Sequence, residues 1–312
     1  MTARQGFWAV LLSSFCFGFL GYFGTVGYEL GFTPLKLLTV RFVLASLMLW
    51  GFAAAKYKQR PKNKNPTERP LEKSSYSISI NNVKWLALQG VAYAFTALGY
   101  FNALRNMPAG LVGVLFYVHP LLTIFMASLI WRETVSKVVM QSAVLAVVGA
   151  ALVSQSGGAA SAAGNTSGLI WIAVAASSYS AFTLIGQKTT SDLDSLVVTT
   201  YSITFCAVFL VLLNPPLYML NGTLSPNMWL VGLGISFVSS VLAILLYVVG
   251  IKAVGASRAA IISAAEPLSG VLIATLLLGE RLAAVQVLGI AVILLSVWNT
   301  QRRTNPLRPT EG

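Results

Sequence analysis

The amino-acid sequence predicts an all-α membrane protein whose ten transmembrane helices form two inverted five-helix repeats. Of its 312 residues 56% are hydrophobic and only 10% are charged, whereas soluble domains carry roughly 25% charged residues. Long apolar runs recur from Phe7 to Trp298, and a helix of about 20 apolar residues crosses the hydrocarbon core of a bilayer. A pattern in the first half of the chain also returns in the second. These observations exclude an ordinary soluble enzyme.

The apolar runs divide into ten segments, separated by sequence that is polar or rich in glycine or proline. We expect helices at about 6–28, 34–55, 83–105, 107–130, 136–154, 168–188, 195–213, 227–251, 255–278 and 282–298. The segment 56–82, rich in lysine and proline, cannot bury apolar area and is predicted to be a mobile loop. The first apolar run is longer than the core of a signal peptide, so we expect it to be retained.

The basic residues predict the orientation of these helices. With ten helices, both termini and the 56–82 loop lie on one side, together with seventeen of the 21 Lys and Arg residues; the other side receives Lys36, Arg105 and Arg281. Because positive residues collect in cytoplasmic loops, we expect both termini in the cytoplasm and the protein in the cytoplasmic (inner or plasma) membrane. This explains the net charge of +12 without a nucleic-acid partner. Anionic-lipid binding by the basic loop is the alternative.

The repeat becomes visible when the sequence is shifted by 147 residues. Arg105 then aligns with Lys252, and His119-Pro120-Leu121 aligns with Glu266-Pro267-Leu268, without a gap. We expect one repeat at 1–154 and the other at 155–312. Five helices is an odd number, so the second repeat crosses the membrane upside down relative to the first, as in transporters that work by alternating access. Duplication merely to build a large bundle is the alternative.

Two ionisable residues occupy equivalent positions at the middle of predicted helices four and nine, His119 and Glu266. A charge at the bilayer centre costs about 2.5–3.5 kcal/mol, so such residues usually face a protein interior or a wet cavity. Glu266 can hold a substrate amine or a proton, and His119 can change charge near neutral pH; both are candidates for substrate binding and proton coupling. Hydrogen-bonded core residues are the alternative. Because Pro120 and Pro267 follow them, we expect the helices to bend there.

Arg41 lies about seven residues, or roughly 10 Å, inside the second helix. It can snorkel outward, pair with Glu29, or attract a substrate carboxylate, and the first two readings are favoured.

A polar face is predicted along the third helix, where Gln89, Tyr93, Thr96 and Tyr100 recur at helical spacing. Tyrosines on a cavity wall can stack on a cargo and bond its polar groups, whereas tyrosines at the membrane interface form a belt, which is the alternative for Tyr100. The further candidates for substrate binding are Tyr117, Tyr179 and Tyr247.

Small residues predict close helix packing. Gly18, Gly21, Gly24 and Gly27 in the first helix, and Gly270 and Ala274 in the ninth, allow helices to approach closely.

The sequence resembles the drug/metabolite transporter superfamily, and within it the EamA-type family of ten-span transporters. The resemblance rests on Pro34 and Arg41-Phe42, on the string from Pro120 to Glu133, and on Glu266-Pro267 followed by Gly279-Glu280-Arg281. The first string has Trp131-Arg132-Glu133 where Gly-Glu-Arg is typical. The resemblance implies a carrier with a central cavity walled mainly by helices one, three, four, six, eight and nine.

The function that these observations predict is a secondary transporter of a small organic metabolite, an amino acid or related amphiphile, exported by alternating access. The alternatives are an uptake carrier or exchanger for a sugar, nucleotide-type or other metabolite, then a channel or a membrane-embedded enzyme. An enzyme is not predicted, because the chain has one histidine and no clustered catalytic residues. Cys16 and Cys206 both fall inside apolar runs and therefore indicate no disulfide. We expect no metal or other cofactor. The expected partners are the substrate, the lipid bilayer, a coupling proton and a second copy of the chain.

Overall fold

The computed structural model describes residues 2–58, 79–107, 112, 115–132, 136–153, 166–278 and 283–302. These residues form helices and no strands. In chain order the α-helices are α1 (Ala3–Glu29), α2 (Pro34–Lys58), α3 (Ile80–Asn106), α4 (His119–Trp131), α5 (Lys137–Val153), α6 (Thr166–Asp192), α7 (Ser195–Leu213), the short α8 (Leu217–Leu220), α9 (Pro226–Ser236), α10 (Ala243–Val254), α11 (Ala256–Ile262), α12 (Glu266–Leu278) and α13 (Ala284–Arg302). Most of the predicted 56–82 loop, Glu133 and residues 279–282 lie outside the described residues.

Six helical stretches in the described part of the chain are long and apolar enough to cross a membrane: 3–29, 34–56, 166–192, 195–213, 226–254 and 256–277. Shorter apolar helices occupy 119–131, 137–153 and 284–300. Helix α3 is long but is not among the six, because polar residues such as Gln89 and Asn102 interrupt its apolar sequence. The number of ten membrane-spanning helices therefore remains a prediction.

Local side-chain bonds explain where several helices begin. Thr2 and Gln5 form a reciprocal capping box at the start of α1, and Asp194 accepts a hydrogen bond from the Leu196 amide at the start of α7. Ser225 caps α9, with Pro226 in the first turn. These side chains satisfy amide groups that have no partner inside the helix.

The helices break at the prolines, as predicted. A short 3-10 segment, Ser263–Ala265, separates α11 from α12 directly before Glu266 and Pro267. At the equivalent position in the first half of the chain, a turn at residues 117–118 precedes His119. The described part of the predicted helix 107–130 is therefore not continuous. A proline deprives the carbonyl four residues earlier of its helical partner, and this places both breaks beside the two ionisable residues.

A second irregularity was not predicted. The expected continuous helix 227–251 contains a π-helical segment, Phe237–Leu242, between α9 and α10. Wide turns of this kind are rare and often occur at functional sites.

The two halves of the described chain pack with a twofold pattern. Helix α3 packs along α6, and its counterpart α10 packs along α1, the counterpart of α6. Helices α2 and α7 contact each other, and so do α5 and α13, as expected for equivalent elements on a twofold axis. The contacts are close: a Cβ on Gly99 would lie 2.7 Å from the Trp171 carbonyl oxygen, and one on Gly250 would overlap Val10. A larger residue would therefore disturb both helix crossings.

The predicted close packing of the first helix is found at Gly18, where α1 meets α12. A Cβ on Gly18 would lie 2.7 Å from the Ser269 Cβ and 2.8 Å from the Gly270 backbone nitrogen. Gly21 and Gly24 have no neighbour within 4 Å of such a Cβ, so the expectation of close packing is wrong there.

Candidate functional site

A cavity of about 50 Å³ lies between the two halves of the chain. Its wall combines helix α1, the early part of α2, the second half of α3, the middle of α6 and the start of α12. The lining residues are Phe17, Leu20, Arg41, Tyr93, Thr96, Ala97, Tyr100, Phe101, Phe116, Tyr179 and Glu266. The volume holds only a few water molecules, so a larger ligand requires the wall to open.

Arg41 is held in this cavity by the π-helical segment. Its Nε donates to the Ser240 hydroxyl at 2.6 Å, and its Nη2 donates to the Ser239 carbonyl at 2.8 Å. The side chain is 2% exposed, so the expectation that it snorkels outward is wrong. It also forms no ion pair with Glu29, because the guanidinium lies against α9–α10 rather than at the end of α1. Arginine has five donors, so donors remain for a ligand.

Glu266 faces the same cavity from the first turn of α12. The Tyr117 hydroxyl lies within hydrogen-bonding reach of its carboxyl group. Arg41 acts on Glu266 electrostatically, but the described residues contain no ion pair between them within 4 Å. The cavity therefore has an acidic and a basic group that are not in direct contact.

His119 lies behind the wall rather than in it. Its ring is 1% exposed, is absent from the described lining, and meets the Tyr179 ring edge-on at 4.7 Å between centroids. Its carbonyl oxygen accepts bonds from Thr123 and Ser180, and its Nδ1 has no hydrogen-bond partner in the described structure. The equivalence of His119 and Glu266 in sequence therefore does not give equivalent positions relative to this cavity.

The predicted tyrosines fall into two groups. Tyr93 and Tyr179 line the cavity, whereas Tyr247 stacks on Tyr179 at 5.7 Å and shares a hydrogen bond of 3.1 Å with the Thr183 hydroxyl. Tyr100 lines the cavity, so the interfacial-belt reading does not describe it. The aromatic rings form a wall that stacked contacts hold rigid.

Gln89 has a packing role in the structure. Its amide donates to the Phe182 carbonyl at 3.4 Å and its carbonyl oxygen accepts from Thr189 at 3.1 Å, which joins α3 to α6. It is not among the described residues that line the cavity, since its bonds hold it at the helix contact.

The sequence reasoning missed the apolar part of the wall. Phe17, Leu20, Phe101 and Phe116 line the cavity, and nothing in their spacing separates them from ordinary core residues. The site is also not a metal centre as far as the structure describes it: no three His, Cys, Asp or Glu side chains in that part of the chain gather to hold an ion.

The helices define a multi-pass membrane protein, since six helical stretches in the described part of the chain are long and apolar enough to cross a bilayer. The model of the EamA-like transporter family matches residues 4–155 and again residues 166–300. The chain belongs to this family, whose members are transporters of small solutes and not enzymes, and it consists of two copies of the repeat.

Comparisons with individual proteins support the fold of the chain and say nothing further about its function. No curated protein matches the chain significantly. A solved structure described only as the crystal structure of a protein matches with a TM-score of 0.72 and 16% sequence identity, over 96% of this chain and 97% of that one.

Proposed function

We propose that this protein is a secondary transporter that exports a small organic amphiphile, of the amino-acid type, across the cytoplasmic membrane by alternating access. The chain then has ten membrane-spanning helices in two inverted repeats, at 1–154 and 155–312, with both termini in the cytoplasm. The family membership supports transport, and the twofold exchange of helix contacts between the halves supports the inverted arrangement.

The observation that carries the proposed cargo is the presence of a guanidinium and a carboxyl group on the wall of one cavity. Arg41 presents unused donors that suit a carboxylate, and Glu266 presents a carboxyl group that suits an ammonium group. The aromatic and apolar wall suits the rest of an amphiphile. A cargo without charged groups would leave the remaining donors of Arg41 and the carboxyl group of Glu266 without ionic partners. Glu266 is also the candidate that carries a coupling proton.

The small cavity fits a transporter in a nearly closed conformation. With about 50 Å³ of free space, the cargo enters only when helices around the cavity move apart. Such movement around a fixed central site is the alternating-access mechanism.

Flux into proteoliposomes tests the proposal. The purified protein is reconstituted, and uptake of each of the twenty radiolabelled L-amino acids is measured with and without the same unlabelled compound inside. A carrier gives saturable uptake that internal substrate accelerates; a channel gives linear uptake without this acceleration. The absence of flux for all twenty compounds would reject the proposed cargo, and a wider panel of metabolites without flux would reject transport.

Orientation is tested with single added cysteines, since Cys16 and Cys206 are buried. Lys58 and Asn221 are both exposed, at the end of α2 and just after α8. With an impermeant maleimide we expect Asn221→Cys to be labelled on intact cells and Lys58→Cys only in inverted vesicles. The reverse pattern, or labelling of both from one side, contradicts the topology.

A further inference from the structure

A row of hydroxyl groups runs from the cavity into the buried contact between α6 and α10. Tyr179 lines the cavity, and its hydroxyl lies within hydrogen-bonding reach of the Tyr247 hydroxyl. The Tyr247 hydroxyl is 3.1 Å from the Thr183 hydroxyl. Both Tyr247 and Thr183 are 0% exposed. The row therefore leads away from the cavity wall through a part of the bundle that solvent does not reach.

The hydrogen bonds of this row all point in one direction. A hydroxyl group has one hydrogen, and Thr183 donates its hydrogen to the Tyr179 carbonyl at 2.9 Å. Tyr247 is therefore the donor in its contact with Thr183. Ser263, a second hydroxyl within reach of Tyr247, donates to the Ala260 carbonyl at 2.8 Å. The remaining partner, Tyr179, thus donates to Tyr247, and the hydrogens point away from the cavity.

Beyond Thr183 the row approaches the end of the bundle where α6 and α10 terminate. Gln187 follows Thr183 by four residues, about 6 Å along α6, and lies on the same face of the helix. Its carbonyl oxygen accepts from the Ala256 amide at the start of α11, and the residue is partly exposed. One bridging water joins polar groups at such a separation. Polar side chains therefore extend from the cavity to this end of the bundle.

The internal repeat does not account for the row. Helix α6 aligns with α1 at a shift of 162 residues, which pairs a glycine near the start of each helix. At this shift Phe17 stands in place of Tyr179, and Gly21 stands in place of Thr183. Helix α1 packs along α10 without these two hydroxyl groups. Close packing of the equivalent helices therefore does not require them, and they belong to one half of the chain alone.

We propose that the hydroxyl groups of Tyr179, Tyr247 and Thr183 form a proton pathway between the cavity and the end of the bundle where α6 and α10 terminate. Glu266 on the cavity wall exchanges the proton with this pathway. At each hydroxyl oxygen one O–H bond forms to the arriving proton and one breaks to release the hydrogen to the next oxygen. One proton moves and every group returns to its neutral form. The last step occurs when the Thr183 hydroxyl turns from the Tyr179 carbonyl towards Gln187.

Other ionisable side chains surround the start of the pathway. Those that act on Glu266 are Arg41 from α2, Tyr93 and Tyr100 from α3, Tyr117 in the turn before α4, Tyr179 from α6 and Tyr247 from α10. Helices α1 and α5 also pack against α12, and within the described residues neither places an ionisable side chain on the cavity wall. Tyr179 lines the cavity and also bonds to Tyr247, so it is the point of entry.

Proton flux into vesicles without cargo tests the pathway independently of the proposed cargo. The purified protein is reconstituted in liposomes that contain a pH-sensitive dye and potassium, and valinomycin then creates an inside-negative potential that draws protons inward. We expect wild-type protein to acidify the interior faster than protein-free liposomes do. Tyr247→Phe keeps the ring that stacks on Tyr179 and removes the middle hydroxyl, so its flux should fall to the level of protein-free liposomes. Tyr201→Phe, in a ring pair with Trp50 outside the row, should keep the wild-type flux.

Thr183 gives a second, independent set of variants. Thr183→Val removes the hydroxyl at nearly constant shape, and we expect the same loss of proton flux as in Tyr247→Phe. Thr183→Ser retains the hydroxyl and should retain the flux. Thr199→Val is the matched control, because Thr199 is equally buried and its hydroxyl donates to the Ser195 carbonyl of its own helix. All variants are compared at equal amounts of folded protein, judged by gel filtration.

Several outcomes would reject the pathway. Wild-type flux no faster than in protein-free liposomes is one, and undiminished flux in Tyr247→Phe or Thr183→Val is another. A loss in Thr183→Ser or Thr199→Val equal to that in Thr183→Val would show that disturbed packing, and not the missing hydroxyl, lowers the flux. If Tyr247→Phe does not fold, the Thr183 variants decide. Proton flux and amino-acid flux are measured separately, so either proposal can fail while the other stands.

Discussion

The two ends of the helix bundle have equivalent elements but different contacts. At the first end, where α1 and α3 terminate, Arg105 lies in the last turn of α3, is exposed, and has no hydrogen bond or ion pair within the described residues. At the second end, where α6 and α10 terminate, its counterpart Lys252 donates to the Leu193 carbonyl at 2.9 Å. The cavity lies toward the first end, since the residues of α3 that line it come from the second half of that helix. We call these the open end and the closed end.

Further contacts hold the closed end together. Lys188 at the end of α6 lies 3.7 Å from the centre of the Trp85 ring in α3, and Lys56 approaches Asp194 at 3.3 Å. Exposed pairs of this kind contribute only about 0–1 kcal/mol each. The difference between the ends therefore amounts to a few weak contacts, which suits the proposed alternating access.

The largest expected effect is at the carboxyl group of Glu266, which has no equivalent in the other half of the chain. Glu266→Gln removes the group proposed to bind the ammonium group of the cargo, and a hydrogen bond to a charged group contributes about 1.5–3 kcal/mol, so substrate flux is expected to fall by roughly tenfold to a hundredfold. His119→Gln keeps a side chain that forms hydrogen bonds at the counterpart position, and we expect at most a few-fold loss. Initial rates of counterflow in proteoliposomes measure both.

Equal amounts of folded protein, judged by gel filtration, are the control for both variants. Wild-type flux in Glu266→Gln, or a greater loss in His119→Gln than in Glu266→Gln, would contradict the proposed role of Glu266 in binding the cargo.

The sequence predicted the positions of the helices better than it predicted which side chains face the cavity. Helix positions and the repeat can be recognised in the sequence because neither the length of the apolar runs nor the fixed shift of 147 residues depends on how the helices pack. Glu266 and Tyr93 line the cavity, and their role in substrate binding stays a prediction. The different placement of His119 was not predictable, because the facing of a side chain depends on which residues pack around it, here Tyr179 and Phe116. The π-helical segment that holds Arg41 has no signature in FVSSVL, and so the favoured snorkelling of Arg41 was wrong.

A smaller effect is expected at the two equivalent helix crossings. A Cβ on Gly99 would meet backbone atoms of α6, the Trp171 oxygen at 2.7 Å and the Ala175 nitrogen at 2.9 Å; a Cβ on Gly250 would meet mainly the Val10 side chain. Backbone cannot move aside without shifting a helix, whereas a side chain can. We expect Gly99→Ala to lower the free energy of unfolding by about 1–3 kcal/mol and Gly250→Ala to lower it less.

Thermal unfolding in detergent measures this difference. Gly21→Ala is the control, because no atom lies within 4 Å of its new Cβ, and its melting temperature should not fall. A larger loss in Gly250→Ala than in Gly99→Ala would show that the Val10 side chain does not move aside more easily than the backbone of α6.

The smallest expected effect concerns the basic residues of the two ends. Lys252→Met removes the bond to the Leu193 carbonyl, and a partly exposed bond of this kind contributes about 1 kcal/mol to the closed end. Because 1 kcal/mol corresponds to roughly a fivefold change in an equilibrium, the closed end should open about five times as often. Arg105→Met removes no bond that the described structure contains, so its effect should stay below about twofold. Ser263 is buried and begins the 3-10 segment directly before Glu266, so the rate at which a small methanethiosulfonate reagent reacts with Ser263→Cys reports the opening in both backgrounds. An unchanged rate with Lys252→Met, or an equal increase with Arg105→Met, would show that the contact of Lys252 does not hold the closed end, and that the ends differ for some reason other than these two side chains.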